Sequence, residues 1–238
     1  GWPSPTSQQY LAQAHTQDFL EHMSSRGWDA WGPARSSAAC VVRGVSAVLS
    51  GKCHNALCLV ETPGRHAPSG ACSVGHGGRA AAAASRERLP CSVNSVAIGA
   101  LYAHFQWAVG RVVVLDLHSH LATGTADILC RTLDPAFLYA TIAPTGGGGR
   151  MSGPPAHEHA LRLVQNQRKS ITRANDKPLL TRKVLQEEGG ALWKLSVALE
   201  AFRPDLVMIS SGVDGRRGHS CGLGDLVAED YEWFTREV

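Results

Sequence analysis

The chain has 238 residues, 44% of them apolar, and a formal net charge of +3. That length and apolar share suffice for one large core, and so weak a positive charge excludes the concentrated basic surface of a protein built around nucleic acid. No stretch approaches the ~20 consecutive apolar residues of a membrane helix, and no basic leader followed by an apolar segment opens the chain. Seven cysteines, at 40, 53, 58, 72, 91, 130 and 221, form no Cys-x-x-Cys pair. Several sit in apolar runs, as reduced buried thiols do, so an intracellular, reducing compartment is expected. A single soluble domain over 1–238 is the expectation; the chain begins with Gly1 rather than Met and stops at Val238 directly after an amphipathic segment, as a processed or truncated chain would.

Taken in chain order, residues 10–23 carry apolar side chains at the spacing of two short helical turns. Residues 34–49 read as a packed helix that Gly51 ends. The apolar run 55–61, bounded by Pro63 and Gly64, predicts a buried parallel strand feeding a loop. Residues 68–90, rich in Gly, Ala, Ser and Arg, read as an irregular insertion. A helix over 94–109 and a strand over 111–117 follow, then a strand over 137–142. Residues 144–183 read as a second insertion, an exposed loop or loose helix. Within it, 162–183 hold seven basic residues against the single acidic Asp176, without the aromatic interleaving that single-stranded nucleic acid requires, and read as a solvated face. A helix over 190–202, a buried strand over 205–210, a glycine-rich turn over 212–224 and a helix over 228–238 complete the chain. Strands alternating with helices predict a three-layer α/β/α fold around a mainly parallel sheet.

Two apolar strands end in candidate metal ligands: Val-Val-Val-Leu-Asp116-Leu-His118 and Val-Met-Ile-Ser-Ser-Gly-Val-Asp214. The carboxyl ends of parallel strands line one crevice, so side chains far apart in sequence converge there. Asp116 and His118 stand two apart on an extended backbone and therefore on one face. Two carboxylates and an imidazole leave a position open on zinc, which would activate water and polarise a carbonyl. An Asp at a strand end equally caps a helix or binds backbone amides, so spacing alone leaves both readings open.

With these residues in view, the chain resembles the histone deacetylase and acetylpolyamine amidohydrolase family, as a divergent member with the arginase/deacetylase fold. In that family the metal strand reads approximately Asp-x-Asp-x-His-His-Gly-x-Gly-Thr and a later strand reads Ser-Ala-Gly-Phe-Asp-Ala-His-Arg-Gly-Asp. The counterparts here are Val114-Leu-Asp116-Leu-His118-Ser119 with Gly124-Thr125, and Ser210-Ser-Gly-Val-Asp214-Gly-Arg-Arg-Gly218. Further matches in the same order are His15-Thr16, Pro63-Gly64-Arg65-His66, Asn94-Ser-Val-Ala-Ile98 and Asp134-Pro-Ala-Phe-Leu-Tyr139.

The resemblance implies a zinc-dependent amidohydrolase acting on acetyl-lysine or acetylpolyamine, with Zn2+ on Asp116, His118 and Asp214 and with His66 as the base. It also marks departures. Arg65 replaces the companion histidine of His66 and has no neutral form with which to act as a base. Val114 stands for an orienting Asp and Ser119 for a second histidine, and about two extra residues, His120 and Leu121 among them, precede Gly124. Pro90 and Cys91 stand at the substrate channel, where the family often has Phe-Cys, and the family's Gly-Gly-Gly-Tyr segment is expected beyond Val238. These departures motivate a second expectation: a catalytically degenerate homologue acting as a structural or interaction subunit among protein partners. Neither reading calls for membrane insertion or direct nucleic-acid binding.

Overall fold

A computed structural model describes residues 8–25, 28–62, 64–70, 93–119, 121–132, 134–142, 160–162, 182–186, 190–219 and 224–237. The apolar spacing of 10–23 becomes two helices, α1 (Gln8–Ala14) and α2 (Gln17–Ser24). Thr16 separates them because its hydroxyl accepts the Phe19 N–H as the N-cap of α2. Helix α3 (Trp28–Leu49) starts earlier than expected and carries Pro33 inside its N-terminal part. Helix α4 (Ser95–Trp107) begins at Asn94, whose side-chain oxygen accepts from Ala97 N–H, and ends at Ala108 in the left-handed region.

The central strand β1 (Val112–Asp116) is Val-Val-Val-Leu-Asp and is buried along its whole length, as a strand covered on both faces must be. It is followed by α5 (Thr123–Arg131), β2 (Phe137–Thr141) and β3 (Ala160–Arg162), then α6 (Arg182–Gln186), α7 (Ala191–Phe202), β4 (Leu206–Ser210) and α8 (Ala228–Glu237). The described strands form one parallel sheet in the order β3-β2-β1-β4, with Val112 opposite both Phe137 and Leu206, and Asp116 opposite Thr141 and Ser210. Both neighbours of β1 therefore end level with Asp116, which places the loops after β1 and β4 side by side.

Period-2 alternation divides the core in two. Val112, Val114, Phe137 and Tyr139 pack with residues of α1 to α5 on one face. Leu115, Leu117, Ala140 and Ile142 pack on the other with Leu185, Leu195 and Phe234 of α6, α7 and α8. Helices thus cover both faces of the sheet, the three-layer α/β/α arrangement expected from the sequence.

The structure corrects three readings. The run 55–61 forms no strand: it passes along α3, where the Cys58 thiol faces the Cys40 carbonyl at 3.6 Å, and Leu57 and Leu59 are 85% and 83% exposed. A short apolar run becomes a strand only when a ladder reaches its backbone, and none does here. Among the described residues strand β4 has one neighbour, and alternate residues Val207 and Ile209 are exposed, so it is not buried on both faces. Inside the stretch read as an exposed loop or loose helix, β3 adds a parallel strand beside β2. The expected insertion at 68–90 and the channel positions Pro90 and Cys91 lie outside the described residues, apart from 68–70. Among the described residues no helix is long and apolar enough to cross a membrane, and Cys40, Cys53, Cys58 and Cys130 are free thiols.

Candidate active site

The loop 64–70 carries Arg65 and His66, and three parts of the fold fix its backbone. From α5, Thr125 N–H donates to the Arg65 carbonyl at 3.0 Å, and Asp127 accepts Ser69 N–H and Oγ–H at 2.9 and 2.7 Å. From the N-cap of α4, the Asn94 amide donates to the Ala67 carbonyl and to Thr125 Oγ1. From the α1–α2 junction, Thr16 N–H donates to the Ser69 carbonyl at 2.6 Å. His15 at the same junction joins two of these parts: its Nε2 accepts Asn94 N–H at 2.9 Å, so its Nδ1 carries the proton and donates to the Pro68 carbonyl at 2.7 Å. Burial lowers the His15 pKa to about 4, with smaller opposing contributions from the Pro68 carbonyl and Asp127, and the neutral ring is the one these bonds require.

Gly124 has a packing reason to be glycine. A Cβ there would stand 2.3 Å from the Ala67 carbonyl oxygen and 2.5 Å from the His66 carbonyl carbon. Both are backbone atoms that cannot swing aside. Gly124→Ala is therefore expected to cost about 1–3 kcal/mol of stability as an overpacked contact. A urea titration measures it, and an unchanged midpoint would mean that the loop yields freely.

Asp116 ends β1 fully enclosed. Its Oδ1 accepts from His118 Nδ1 at 2.5 Å and from His118 N–H at 3.1 Å; its Oδ2 accepts the Tyr139 hydroxyl at 2.7 Å. Burial first, and then the neighbouring Asp116 charge, push the Tyr139 pKa well above its ordinary value, which keeps that phenol a donor. Because a carboxylate only accepts, His118 Nδ1 carries the proton and Nε2 keeps the lone pair in the neutral ring. This is the carboxylate–imidazole arrangement that fixes the tautomer and orientation of metal-binding histidines. The His118 ring lies against Gly212 after β4, where a Cβ would fall 2.5 Å from Nε2 and Cδ2.

Asp214, two residues beyond Gly212, comes to the same place. Its Oδ1 accepts Ser119 N–H at 3.1 Å, and its Oδ2 faces Arg65 Nη2 at 3.6 Å. The structure thus brings Asp116, His118, Asp214 and Arg65 together at the carboxyl ends of β1 and β4, with His66 next to Arg65 on the clamped loop. Among the described residues no group of three or more His, Cys, Asp or Glu side chains is arranged to hold a metal ion; His120 lies outside them. Sequence reasoning missed the roles of Tyr139, His15 and Asp127. Tyr139 had a legible signal, since it shares the parity of Asp116 on the adjacent strand; the other two bind backbone carbonyls and amides brought near only by folding.

Comparison with known proteins agrees with this architecture. A family model described as histone deacetylase domain matches residues 3–142. Human "Histone deacetylase 9" is 30% identical over 212 residues, covering 87% of this chain and 19% of that protein. "Type-2 histone deacetylase 2" of Dictyostelium discoideum is 26% identical over 226 residues, covering 92% of this chain and 12% of that protein. The chain spans less than a fifth of either relative. The solved HDA15 HD domain superposes with a TM-score of 0.71 at 19% identity, covering 97% of this chain and 64% of that one, and so agrees in fold. The family match over more than half of the sequence, on a three-layer fold that gathers Asp116, His118 and Asp214 at the carboxyl ends of β1 and β4, places the chain in the histone deacetylase domain family.

Proposed function

We propose that the chain is a metal-dependent amidohydrolase of the deacetylase type, acting on N-acetylated lysine or polyamine, with Zn2+ held through His118 and Asp214 and with Asp116 as the positioning carboxylate. The observation that carries this reading is the bond from His118 Nδ1 to Asp116, which aligns an imidazole with its Nε2 lone pair available. It shifts the expected ligand set by two residues. The family strand Asp-x-Asp-x-His-His-Gly-x-Gly-Thr has ten positions, and residues 116–125 are ten with no insertion. In that register Asp116 matches the first, orienting Asp, His118 takes the place of the ligand Asp, and His120 matches the ligand His. Gly124 and Thr125 then fall on the closing Gly-Thr, and Val114 and Ser119 cease to be departures.

By residue type, His118, His120 and Asp214 would suit zinc. Two imidazoles and one carboxylate are ordinary ligands for it and leave a position open. Bound there, the ion would supply Lewis acidity toward an amide carbonyl and acidify a water. The protein's own residues do the rest. Asp116 and Tyr139 hold the His118 ring in one orientation, and Ser119 N–H fixes Asp214. His66, on a loop locked by Asn94, Thr125 and His15, takes a proton from the attacking water through a ring nitrogen and returns it to the departing amine. Purified protein with one equivalent of zinc is expected to release acetate from an acetyl-lysine peptide or an acetylpolyamine, and His66→Ala to slow it by about 100-fold or more. No turnover by zinc-loaded protein on either substrate class would defeat the proposal.

A second reading, a degenerate homologue serving as a structural or interaction subunit, is favoured by one observation, the Arg65 guanidinium beside Asp214. Folded protein that takes up no zinc at equimolar concentration would support that reading over hydrolysis.

A further inference from the structure

We propose that Arg65 is an internal counter-cation that competes with the metal ion for Asp214. The inference rests on the reading of Asp214 as a ligand. Arg65 Nη2 lies 3.6 Å from Asp214 Oδ2, with the two side chains only 13% and 11% exposed. At that degree of enclosure the interaction is poorly screened by salt, and the carboxylate depends on a nearby positive charge to be tolerated. A guanidinium does not lose its proton in a protein, so the charge is present at every working pH.

The guanidinium is delivered from a backbone that cannot drift. Its own carbonyl accepts from Thr125 N–H at 3.0 Å, Thr125 Oγ1 at 3.3 Å and Asn94 Nδ2 at 3.5 Å. Ser119 N–H holds the other Asp214 oxygen. A dication entering between His118 and Asp214 therefore meets a fixed positive charge on the oxygen it needs, and it must share that oxygen or displace the guanidinium. Two consequences follow. The protein folds with Asp214 already neutralised and needs no metal to do so, and its metal is bound weakly and exchanges readily.

The test is zinc affinity, measured by competition with a chromophoric chelator, for the wild type, Arg65→Gln, Arg65→Lys and Asp214→Ala, with far-UV circular dichroism on each. Arg65→Gln is expected to bind zinc more tightly by about 10–100-fold, the scale on which groups around metal ligands act. Arg65→Lys, which keeps the charge, is expected to stay near the wild type. Zinc is also expected to raise the Tm of Arg65→Gln more than that of the wild type. An unchanged affinity in Arg65→Gln, or an equal rise in Arg65→Lys, overturns the proposal. If Asp214→Ala binds zinc as the wild type does, the ligand reading itself fails; if it loses zinc while Arg65→Gln is unchanged, only the role of Arg65 fails.

Discussion

Replacing Asp116 with alanine is expected to lower stability by about 3–5 kcal/mol, because three donors lose their acceptor and a buried donor left unsatisfied costs about 1–3 kcal/mol. Those donors are the buried Tyr139 hydroxyl at 2.7 Å and, partly buried, the Nδ1–H and backbone N–H of His118 at 2.5 and 3.1 Å from the carboxylate. The side chain is fully enclosed, so water does not readily replace the lost acceptor. Asp116→Asn keeps the volume and one acceptor oxygen, but its amide presents donors to donors, and it is expected to fall between wild type and alanine. Removing the Tyr139 hydroxyl as well should cost less than the sum of the single losses, since Tyr139→Phe takes away one of the orphaned donors. Equilibrium urea unfolding of the four variants measures this. A loss below about 1 kcal/mol in Asp116→Ala, the level of an ordinary exposed site, would mean that Asp116 anchors nothing.

Acid is expected to undo the same region through His15. Burial places its folded pKa at about 4, against 6.5 for the ordinary group. The unfolded chain therefore binds more protons between those values, and stability falls as the pH falls. The contribution of His15 is complete above about 6.5 and is lost as the pH drops through the folded value near 4, amounting to roughly 3 kcal/mol. The structural meaning is direct. A protonated Nε2 cannot accept Asn94 N–H, and the clamp joining the α4 N-cap to Pro68 opens beneath Arg65 and His66. Unfolding midpoints measured from pH 7 to pH 4 should decline steeply in the wild type. In His15→Gln, which is neutral throughout, they should start lower and decline less. Parallel curves for the two proteins would remove His15 as the source.

Much of the fold was legible because the pattern that specifies it is local. Val112 to Leu115 form a continuous apolar run, and only a strand covered on both faces buries such a run. Asn94 announced a helix start that its side chain then caps. The run 55–61 misled for the opposite reason: Leu57 and Leu59 have strand-like composition, but strand formation depends on a partner ladder that periodicity does not reveal. Strand β3 was hidden within glycine-rich, basic surroundings that carry no alternation of their own.

The site was legible in its location and less so in its roles. Strand ends at Asp116 and Asp214 pointed to one crevice, and the β1–β4 register together with the Ser119 N–H bond to Asp214 brings them there. What spacing could not distinguish is a carboxylate that holds a metal from one that holds the histidine beside it. On the proposed reading that difference lies in the enclosure of Asp116 and in the hydroxyl of Tyr139, which approaches from a neighbouring strand. Arg65 was visible as a missing histidine, but its pairing with Asp214 depends on two loops separated by most of the chain.

The central claim, that His118 and Asp214 hold the metal while Asp116 positions His118, is tested most directly by zinc stoichiometry at dialysis equilibrium with a saturating concentration of zinc. Near one zinc per chain is expected for the wild type, with loss in His118→Ala and in Asp214→Ala. Asp116→Asn is expected to retain zinc with affinity weakened by about 10–100-fold. Full retention of zinc by His118→Ala or Asp214→Ala, or its complete loss in a folded Asp116→Asn protein, would contradict the account.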